Sequence, residues 1–199
     1  VHMDTAYISD IGLFRKNNED HYLVMDEYGL FAVCDGMGGH KGGDVASKMA
    51  VDCLHEYILN LAADSLTQNP ISVLNAAIQK ANHLIWLQAQ GNSELHEMGT
   101  TITAAAIKKK QLAVANVGDS SLYIFRNGSL KKITRDHTLA EKMVADGLLK
   151  NEEKNFLGRF GFGNFWRPSC WSDFFKAKRR GRFSASLLAA ANPYSLPCS

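Results

Sequence analysis

The segment at residues 30–40 most constrains the fold of this 199-residue chain, because an apolar run ends there at a carboxylate and turns into glycines. Leu30 to Cys34 are all apolar, and Asp35 and Gly36 follow. Apolar runs of this length bounded by glycine are typical of buried strands. Such a strand would hold Asp35 at the rim of a core, and Gly36 would let a backbone carbonyl lie beside it. These oxygens suit a hard cation such as Mg²⁺ or Mn²⁺, although an Asp-Gly pair alone also fits a turn.

Two further segments place acidic residues next to strand-like runs. Arg15 precedes the neighbouring acids Glu19 and Asp20, which stand just before an apolar run at 22–25. Arginine offers a planar fork that grips phosphate or carboxylate oxygens. Glu19 and Asp20 point to opposite faces of an extended chain, so both hold metal-bound waters only if the chain bends there. Asp119 lies between two β-rich runs. A solvated charged loop and a hairpin turn remain the simpler alternatives for these two segments.

Taken together, these segments resemble the metal-dependent protein serine/threonine phosphatases, the PPM family or type 2C phosphatases, in their compact bacterial form. The resemblance is carried by five ordered motifs, at residues 9–20, 35–40 with 43–47, 99–101, 114–120 and 130–138. Both the order and the spacing of the motifs agree with the family. Several motifs in the right order are far more specific than any one of them alone.

The resemblance implies a site for two Mg²⁺ or Mn²⁺ ions, with a third held more loosely, and a water activated between the two ions as the nucleophile. Asp35 matches the bridging carboxylate, and the carbonyl of Gly36 completes the shell of one ion. Glu19 and Asp20 match residues that order coordinated waters. Asp119 matches the position of the looser third ion.

The resemblance also implies the reaction and the partners. Arg15 matches the residue that grips the phosphate, and the activity is removal of phosphate from phosphoserine and phosphothreonine on proteins, the substrates of a cognate kinase. Met37 stands where other members carry a histidine proton donor, so the leaving group would be protonated by a metal-bound water. His40 is interpreted as a loop residue and His137 as a helix-start or packing residue, after Asp136 near a helix N-cap.

The hydrophobic pattern predicts an α+β fold of antiparallel strands and amphipathic helices. Helices are predicted at residues 43–61, 70–90 and 138–149. Strands are predicted at residues 5–11, 22–26, 30–35, 100–107, 111–118, 121–126 and 129–134, with a hairpin turn at Asn127-Gly128. The resemblance implies a four-layer α-β-β-α sandwich of the type 2C phosphatase kind, incomplete at the C-terminus.

The composition changes abruptly near Asn155, which divides the chain into a phosphatase-like catalytic part at 1–154 and an atypical tail at 155–199. The first part has 15 Lys and Arg against 19 Asp and Glu, whereas the tail has seven basic residues and one acid. The tail is also rich in aromatic residues. We interpret it as the product of a truncated or frame-shifted coding region, with a divergent natural tail as the alternative. A solvated basic tail is favoured over nucleic-acid binding.

The resemblance stops at this boundary, and the family's two late metal-ligand aspartates are not matched. A second hypothesis is therefore a catalytically impaired remnant or binding module that keeps part of the phosphatase fold. Exposed strand edges of an incomplete sandwich would favour self-association.

Composition also bears on the compartment. Hydrophobic residues make up 46% and charged residues 21% of the chain, which is ordinary for a globular protein. No signal peptide or membrane-spanning run is recognised, so a cytoplasmic protein without a membrane partner is expected. Cys34 and Cys53 lie on apolar faces and are expected to be reduced core residues.

Overall fold

A computed structural model of the chain describes residues 3–13, 15–38, 42–61, 69–108, 111–137 and 146–147, and the backbone of 186–190. The helices are α1 (Gly42–Leu59) and α2 (Pro70–Gly91), followed by a short 3₁₀ helix (Ser93–Leu95). The strands are β1 (Asp20–Met25), β2 (Leu30–Met37), β3 (Gly99–Thr100), β4 (Ile102–Lys108), β5 (Gln111–Val117), β6 (Ser121–Arg126), β7 (Ser129–Lys132) and β8 (Ser186–Ala190).

A five-stranded antiparallel sheet carries the predicted acidic strand at its centre. Its order is β1-β2-β4-β5, and the two-residue strand β3 pairs with the end of β2. β2 has a neighbouring strand on each side, and α1 packs over one of its faces. Leu30, Ala32 and Cys34 are buried, and Phe31 and Val33 on the other face are partly buried, so no position of this run is fully exposed and its sequence does not alternate with polar residues.

The two long helices pack against each other and against this sheet. α1 lies on β1 and β2, and its buried face includes Leu54 and Ile58, which meet Leu74 and Ile78 of α2 in one core. Asn69 caps α2, because its side chain accepts a hydrogen bond from the backbone N–H of Ser72 at 3.2 Å. The two predicted helices at 43–61 and 70–90 are confirmed, with their ends shifted by one or two residues.

A second sheet has the order β7-β6-β8. Asn127 and Gly128 connect β6 to β7 with positive φ angles of 51° and 74°, so the predicted hairpin turn is confirmed. β8 comes from the tail and pairs antiparallel with β6, with Leu122 opposite Ala189. This strand was not predicted from the sequence.

The predicted strand at 5–11 is wrong, since these residues form no regular element. Tyr7 and Ile8 are 61% and 91% exposed, and no described strand pairs with them. Tyr7 instead packs its ring on Tyr22, 4.8 Å away between centroids. The segment therefore lacks the neighbour that a strand requires.

The other predicted strands are confirmed, with ends that shift by up to two residues. β1 begins at Asp20, two residues earlier than predicted, and the strand predicted at 100–107 is interrupted at Thr101. The predicted helix at 138–149 lies outside the described residues except at 146–147, which form a turn with Gly147 at φ 74°. The α+β class is confirmed. Neither of the two long helices is apolar enough to cross a membrane, within the described part of the chain.

Candidate metal-binding site

Two aspartates lie side by side where β1 begins and β2 nears its end. Asp20 is the register partner of Asp35 across the antiparallel pair. Directly opposed residues in such a pair project their side chains from the same face of the sheet. Asp35 is only 6% exposed, and Asp20 Oδ1 is buried without a hydrogen-bond partner. The pairing therefore brings the buried carboxyl group of Asp35 beside the partly buried one of Asp20.

Burial and like charge make ionisation of Asp35 unfavourable. Burial raises the pKa of Asp35 to about 7, and the charge of Asp20, a hydrogen bond with Asp20 and the charge of Asp119 act in the same direction. Burial also raises the pKa of Glu19, helped by Asp44 and Asp20. The positive charge of Arg15 lowers the pKa of both Asp35 and Glu19. Asp35 is thus poised to exchange its proton for a cation near neutral pH.

Gly36 and Gly43 allow the backbones of three segments to meet beside the carboxyl pair. The N–H of Gly36 donates to the carbonyl of Glu19 at 3.1 Å. A Cβ on Gly36 would lie 2.1 Å from the carbonyl oxygen of Gly43 and 2.7 Å from that of Glu19. A side chain at this position would therefore push apart the start of α1 and the residue before β1.

Ser47 fastens helix α1 to the same place. Its hydroxyl is fully buried and lies 2.6 Å from the carbonyl of Glu19 and 2.9 Å from that of Gly43, both acceptors. His21 Nδ1 is 3.0 Å from the same hydroxyl, and His21 Nε2 is 3.7 Å from Asp44 Oδ1. Because Ser47 is buried and already bonded to carbonyls, this Ser–His–Asp grouping is a structural anchor and not a nucleophile.

The remaining predicted residues reach the site from other segments. Arg15 is exposed in the segment before β1 and acts on the site through its charge. Asp119 is half-buried in the turn between β5 and β6, and its charge is felt at Asp35. Met37 ends β2 and has no proton to donate. His40 lies outside the described residues.

His137 packs against the turn that carries Asp119. Its N–H donates to the carbonyl of Gly118 at 2.9 Å, and its Nδ1 accepts from the N–H of Gly118 at 3.4 Å. Burial lowers the pKa of His137, although Asp136 opposes this shift. Asp136 itself accepts from Lys132 Nζ at 2.6 Å. These contacts agree with a packing role for His137.

The described residues fit a divalent cation at the Asp20–Asp35 pair. A buried carboxylate oxygen of Asp20 without a partner and the raised pKa of Asp35 both indicate that positive charge is needed there. Oxygen donors from Asp35 and the nearby Gly36 backbone are the donors that Mg²⁺ and Mn²⁺ prefer. Among the residues that the structure describes, however, no three His, Cys, Asp or Glu side chains are grouped to hold a metal.

Three hydroxyl residues at the site had no role in the sequence analysis. Ser47, Thr101 and Ser120 all belong to the recognised motifs, and all are buried with 2% exposure or less. Their place within those motifs was the available signal. Their roles were missed because they depend on partners from other segments, such as the carbonyl of Glu19 for Ser47 and the backbone of Asp35 for Thr101.

The fold and the site define an α+β protein with a candidate centre for divalent cations. A sequence model of the Protein phosphatase 2C family matches residues 15–156. The chain belongs to the Protein phosphatase 2C family, the PPM family that the sequence analysis recognised.

Named relatives are bacterial. The chain is 37% identical over 154 residues to the serine/threonine phosphatase stp of Listeria welshimeri, covering 76% of this chain and 61% of that protein. It is 37% identical over 145 residues to the serine/threonine protein phosphatase PstP of Mycobacterium tuberculosis, covering 73% of this chain and 27% of the relative. The chain thus spans less than two thirds of the length of these relatives.

Solved structures share the fold. A crystal structure of the Mycobacterium tuberculosis phosphatase PstP superposes with a TM-score of 0.65 at 31% identity, covering 92% of this chain and 71% of the other. The catalytic domain of PstP in complex with two manganese ions gives a TM-score of 0.63 at 29% identity, with the same coverage of each chain. The type 2C phosphatase fold that the sequence resemblance implied is therefore confirmed.

Proposed function

We propose that this chain is a metal-dependent protein phosphatase that removes phosphate from phosphoserine and phosphothreonine. The observation that carries the proposal is the Asp20–Asp35 pair, in which like charges and a buried, unpartnered oxygen of Asp20 lie at a strand end. The activities named for the Listeria and Mycobacterium relatives support the substrate class. The two manganese ions in the PstP structure support Mn²⁺ or Mg²⁺ as the cofactor.

Each proposed site residue has a separate task. Asp35 and the carbonyl of Gly36 would hold the cations, while Glu19 and Asp20 would order the waters around them. When bound, the ions would lower the pKa of a water and neutralise charge on the phosphoryl group. Asp119 would hold a further, looser ion. Ser47 keeps the carbonyl of Glu19 in place and so maintains the approach of β1 to Gly36.

Arg15 would bind the substrate phosphate. Its guanidinium lies close enough to the site to lower the pKa of Asp35 and Glu19, yet its side chain is exposed and accessible to a substrate. A planar guanidinium can donate two parallel hydrogen bonds to one phosphate. This geometry suits a phosphorylated side chain presented at the protein surface. A cognate serine/threonine kinase would supply such substrates, and the cytoplasm would be the compartment.

One observation favours a second candidate, a catalytically impaired binding module. No described group of three acidic, histidine or cysteine side chains is arranged around one metal position. A cation with few carboxylate ligands is held weakly, because affinity follows ligand charge. In this alternative the chain would recognise phosphorylated partners through Arg15 without hydrolysing them.

Hydrolysis of p-nitrophenyl phosphate and of a phosphothreonine peptide, with Mn²⁺ or with a chelator, tests the proposal. Mn²⁺-dependent release of phosphate is expected, and Asp35→Asn should lower it by more than about 100-fold, since even outer-shell partners of metals are worth about 10–100-fold. Asp52→Asn is the matched control, because Asp52 is exposed and pairs only with Lys48 at 2.8 Å among the described contacts. Wild-type protein that shows no Mn²⁺-stimulated hydrolysis at millimolar metal would leave the binding-module alternative.

A further inference from the structure

Thr101 clamps the backbone of Asp35 from both sides. The N–H of Asp35 donates to Thr101 Oγ1 at 3.0 Å, and the N–H of Thr101 donates to the carbonyl of Asp35 at 2.9 Å. Thr101 is 2% exposed and occupies the break between β3 and β4. Thr101, a buried residue, thus forms two hydrogen bonds with Asp35, and these bonds fix the peptide groups on either side of the Asp35 side chain.

The same hydroxyl of Thr101, together with its methyl group, contacts the turn that carries Asp119. Thr101 Oγ1 is 2.7 Å from Ser120 Oγ, and both hydroxyls are buried. Gly118 has φ 98°, and a Cβ there would lie 2.6 Å from Thr101 Cγ2. The turn is thus seated on Thr101 by a hydroxyl pair and by close packing. Thr101 therefore contacts both the backbone of Asp35 and the two residues that flank Asp119.

We propose that Thr101 and Ser120 are positioning residues whose hydroxyl pair holds Asp119 at a set distance from Asp35, so that the two carboxylates serve neighbouring cations. The inference rests on the proposed metal-dependent function. Two carboxylates near each other repel, so the position of Asp119 relative to Asp35 depends on the contacts that hold its turn. His137 and Thr103 also bind this turn, but the Ser120 hydroxyl makes the described hydrogen bond that joins it to Thr101 and so to Asp35. A buried hydroxyl pair is suited to this task because breaking it leaves an unsatisfied polar group in the core.

A positioning role distinguishes the hydroxyls of Thr101 and Ser120 from hydroxyls that only stabilise the fold, because loss of a positioning hydroxyl should change metal binding as well as stability. Thr134 provides the comparison, because its Oγ1 accepts from the N–H of Leu122 at 3.0 Å and no contact described for it reaches either acid. Thr134→Val should lower the melting temperature of the full chain without changing metal binding. Ser120→Ala should change metal binding even where its melting temperature falls no further than that of Thr134→Val.

Binding of Mn²⁺ to the full chain, measured by electron paramagnetic resonance, tests the tether. Some of the bound Mn²⁺ should be lost when Asp119 is replaced. Ser120→Ala and Thr101→Val should lower the affinity for this Asp119-dependent Mn²⁺ about tenfold, the equivalent of one lost hydrogen bond of about 1.4 kcal/mol. Thr101→Ser, which keeps the hydroxyl, should retain the wild-type affinity. In an Asp119→Asn background, Ser120→Ala should have no further effect, because the carboxylate that it positions is gone.

A metal-free measurement checks the other end of the tether. Exchange of the Asp35 amide hydrogen should accelerate in Thr101→Val but not in Ser120→Ala, since only Thr101 accepts that N–H. Folded Ser120→Ala or Thr101→Val protein with unchanged Mn²⁺ binding would overturn the inference while leaving the phosphatase proposal intact. An equal loss in Thr101→Ser would also overturn it. Wild-type protein without Mn²⁺ binding would overturn both proposals.

Discussion

Asp20 and Asp35 lie directly opposite each other across β1 and β2, and their mutual repulsion adds to burial in raising the pKa of Asp35 to about 7. Two strands that must pair to build the sheet thus bring together two charges that oppose the pairing. The protein tolerates this arrangement because Asp35 can retain a proton, and Arg15 offsets part of the repulsion. A bound cation would remove the conflict altogether, so stability and metal binding should be linked through this pair.

The first prediction concerns stability against pH in the absence of metal. Because the folded pKa of Asp35 is raised from 3.8 to about 7, the folded protein binds more protons than the unfolded chain between these values. Stability should therefore fall as the pH rises from 5 to 8, by an amount on the order of a few kcal/mol for this group. Asp35→Asn should remove that part of the fall. Urea unfolding at the two pH values, with chelator present, measures it.

Other titratable groups also change the dependence of stability on pH, but they do not affect the comparison of wild type with Asp35→Asn. The raised pKa of Glu19 contributes a fall of the same sign, whereas the lowered pKa of His137 makes stability rise with pH in the range below its unfolded value of 6.5. Both contributions remain in Asp35→Asn, so the difference between the two proteins isolates Asp35. Equal pH slopes in the two proteins would contradict the assignment. Millimolar Mn²⁺ should reverse the fall in wild type at pH 8.

The second prediction concerns the close approach of backbones at Gly36. Gly36→Ala should destabilise the fold by about 1–3 kcal/mol or more, because the added Cβ would overlap the carbonyl oxygens of Gly43 and Glu19. Gly91→Ala is the matched control, since nothing lies within 4 Å of its Cβ position and alanine is the better helix former by up to about 1 kcal/mol. Thermal unfolding of both variants checks the contrast. A Gly36→Ala protein as stable as wild type would show that α1 and β1 can separate freely.

The third prediction concerns the phosphate grip. Arg15→Ala should raise KM for a phosphopeptide about 10–100-fold, the equivalent of a charged hydrogen bond of about 1.5–3 kcal/mol, with a smaller change in kcat. Metal affinity should change little. Losing the positive charge removes repulsion of the cation, but it also raises the pKa of Asp35 and so favours the competing proton. Lys16→Ala, the neighbouring exposed cation, is the control. If Arg15→Ala lowered kcat and left KM unchanged, Arg15 would stabilise only the transition state and would not bind the substrate phosphate in the ground state.

The strands and helices that form the core could be predicted from the sequence, whereas contacts between distant segments could not. An apolar run predicts β2 and an apolar stripe at helical spacing predicts α1, and both patterns are local in the sequence. The segment 5–11 has an apolar pattern as well, but a strand also needs a neighbour, and periodicity does not report one. β8 was missed for the opposite reason, because its partner β6 is distant in the sequence and the tail that precedes β8 has no clear period.

The candidate site shows the same division. The resemblance to the family identified the acidic residues by motif, and the register of β1 with β2 then placed Asp20 against Asp35. The hydroxyl residues that hold these acids were not predicted. Thr101 meets Ser120 and the backbone of Asp35 only after β2, β4 and the turn following β5 have assembled. The roles of all these residues stay predictions until they are tested.

The fourth prediction separates Asp119 from the Asp20–Asp35 pair. Asp119→Ala should leave tight Mn²⁺ binding intact and reduce turnover, because Asp119 is half-buried at the edge of the site and its charge acts on Asp35. Removing that charge should also lower the pKa of Asp35, which favours metal over proton at the pair. Steady-state hydrolysis at saturating Mn²⁺, with metal binding measured on the same sample, checks both effects. Asp52→Ala provides an exposed carboxylate as the control. If Asp119→Ala abolished tight Mn²⁺ binding, Asp119 would belong to the principal cation site, and the division of tasks between Asp35 and Asp119 would be wrong.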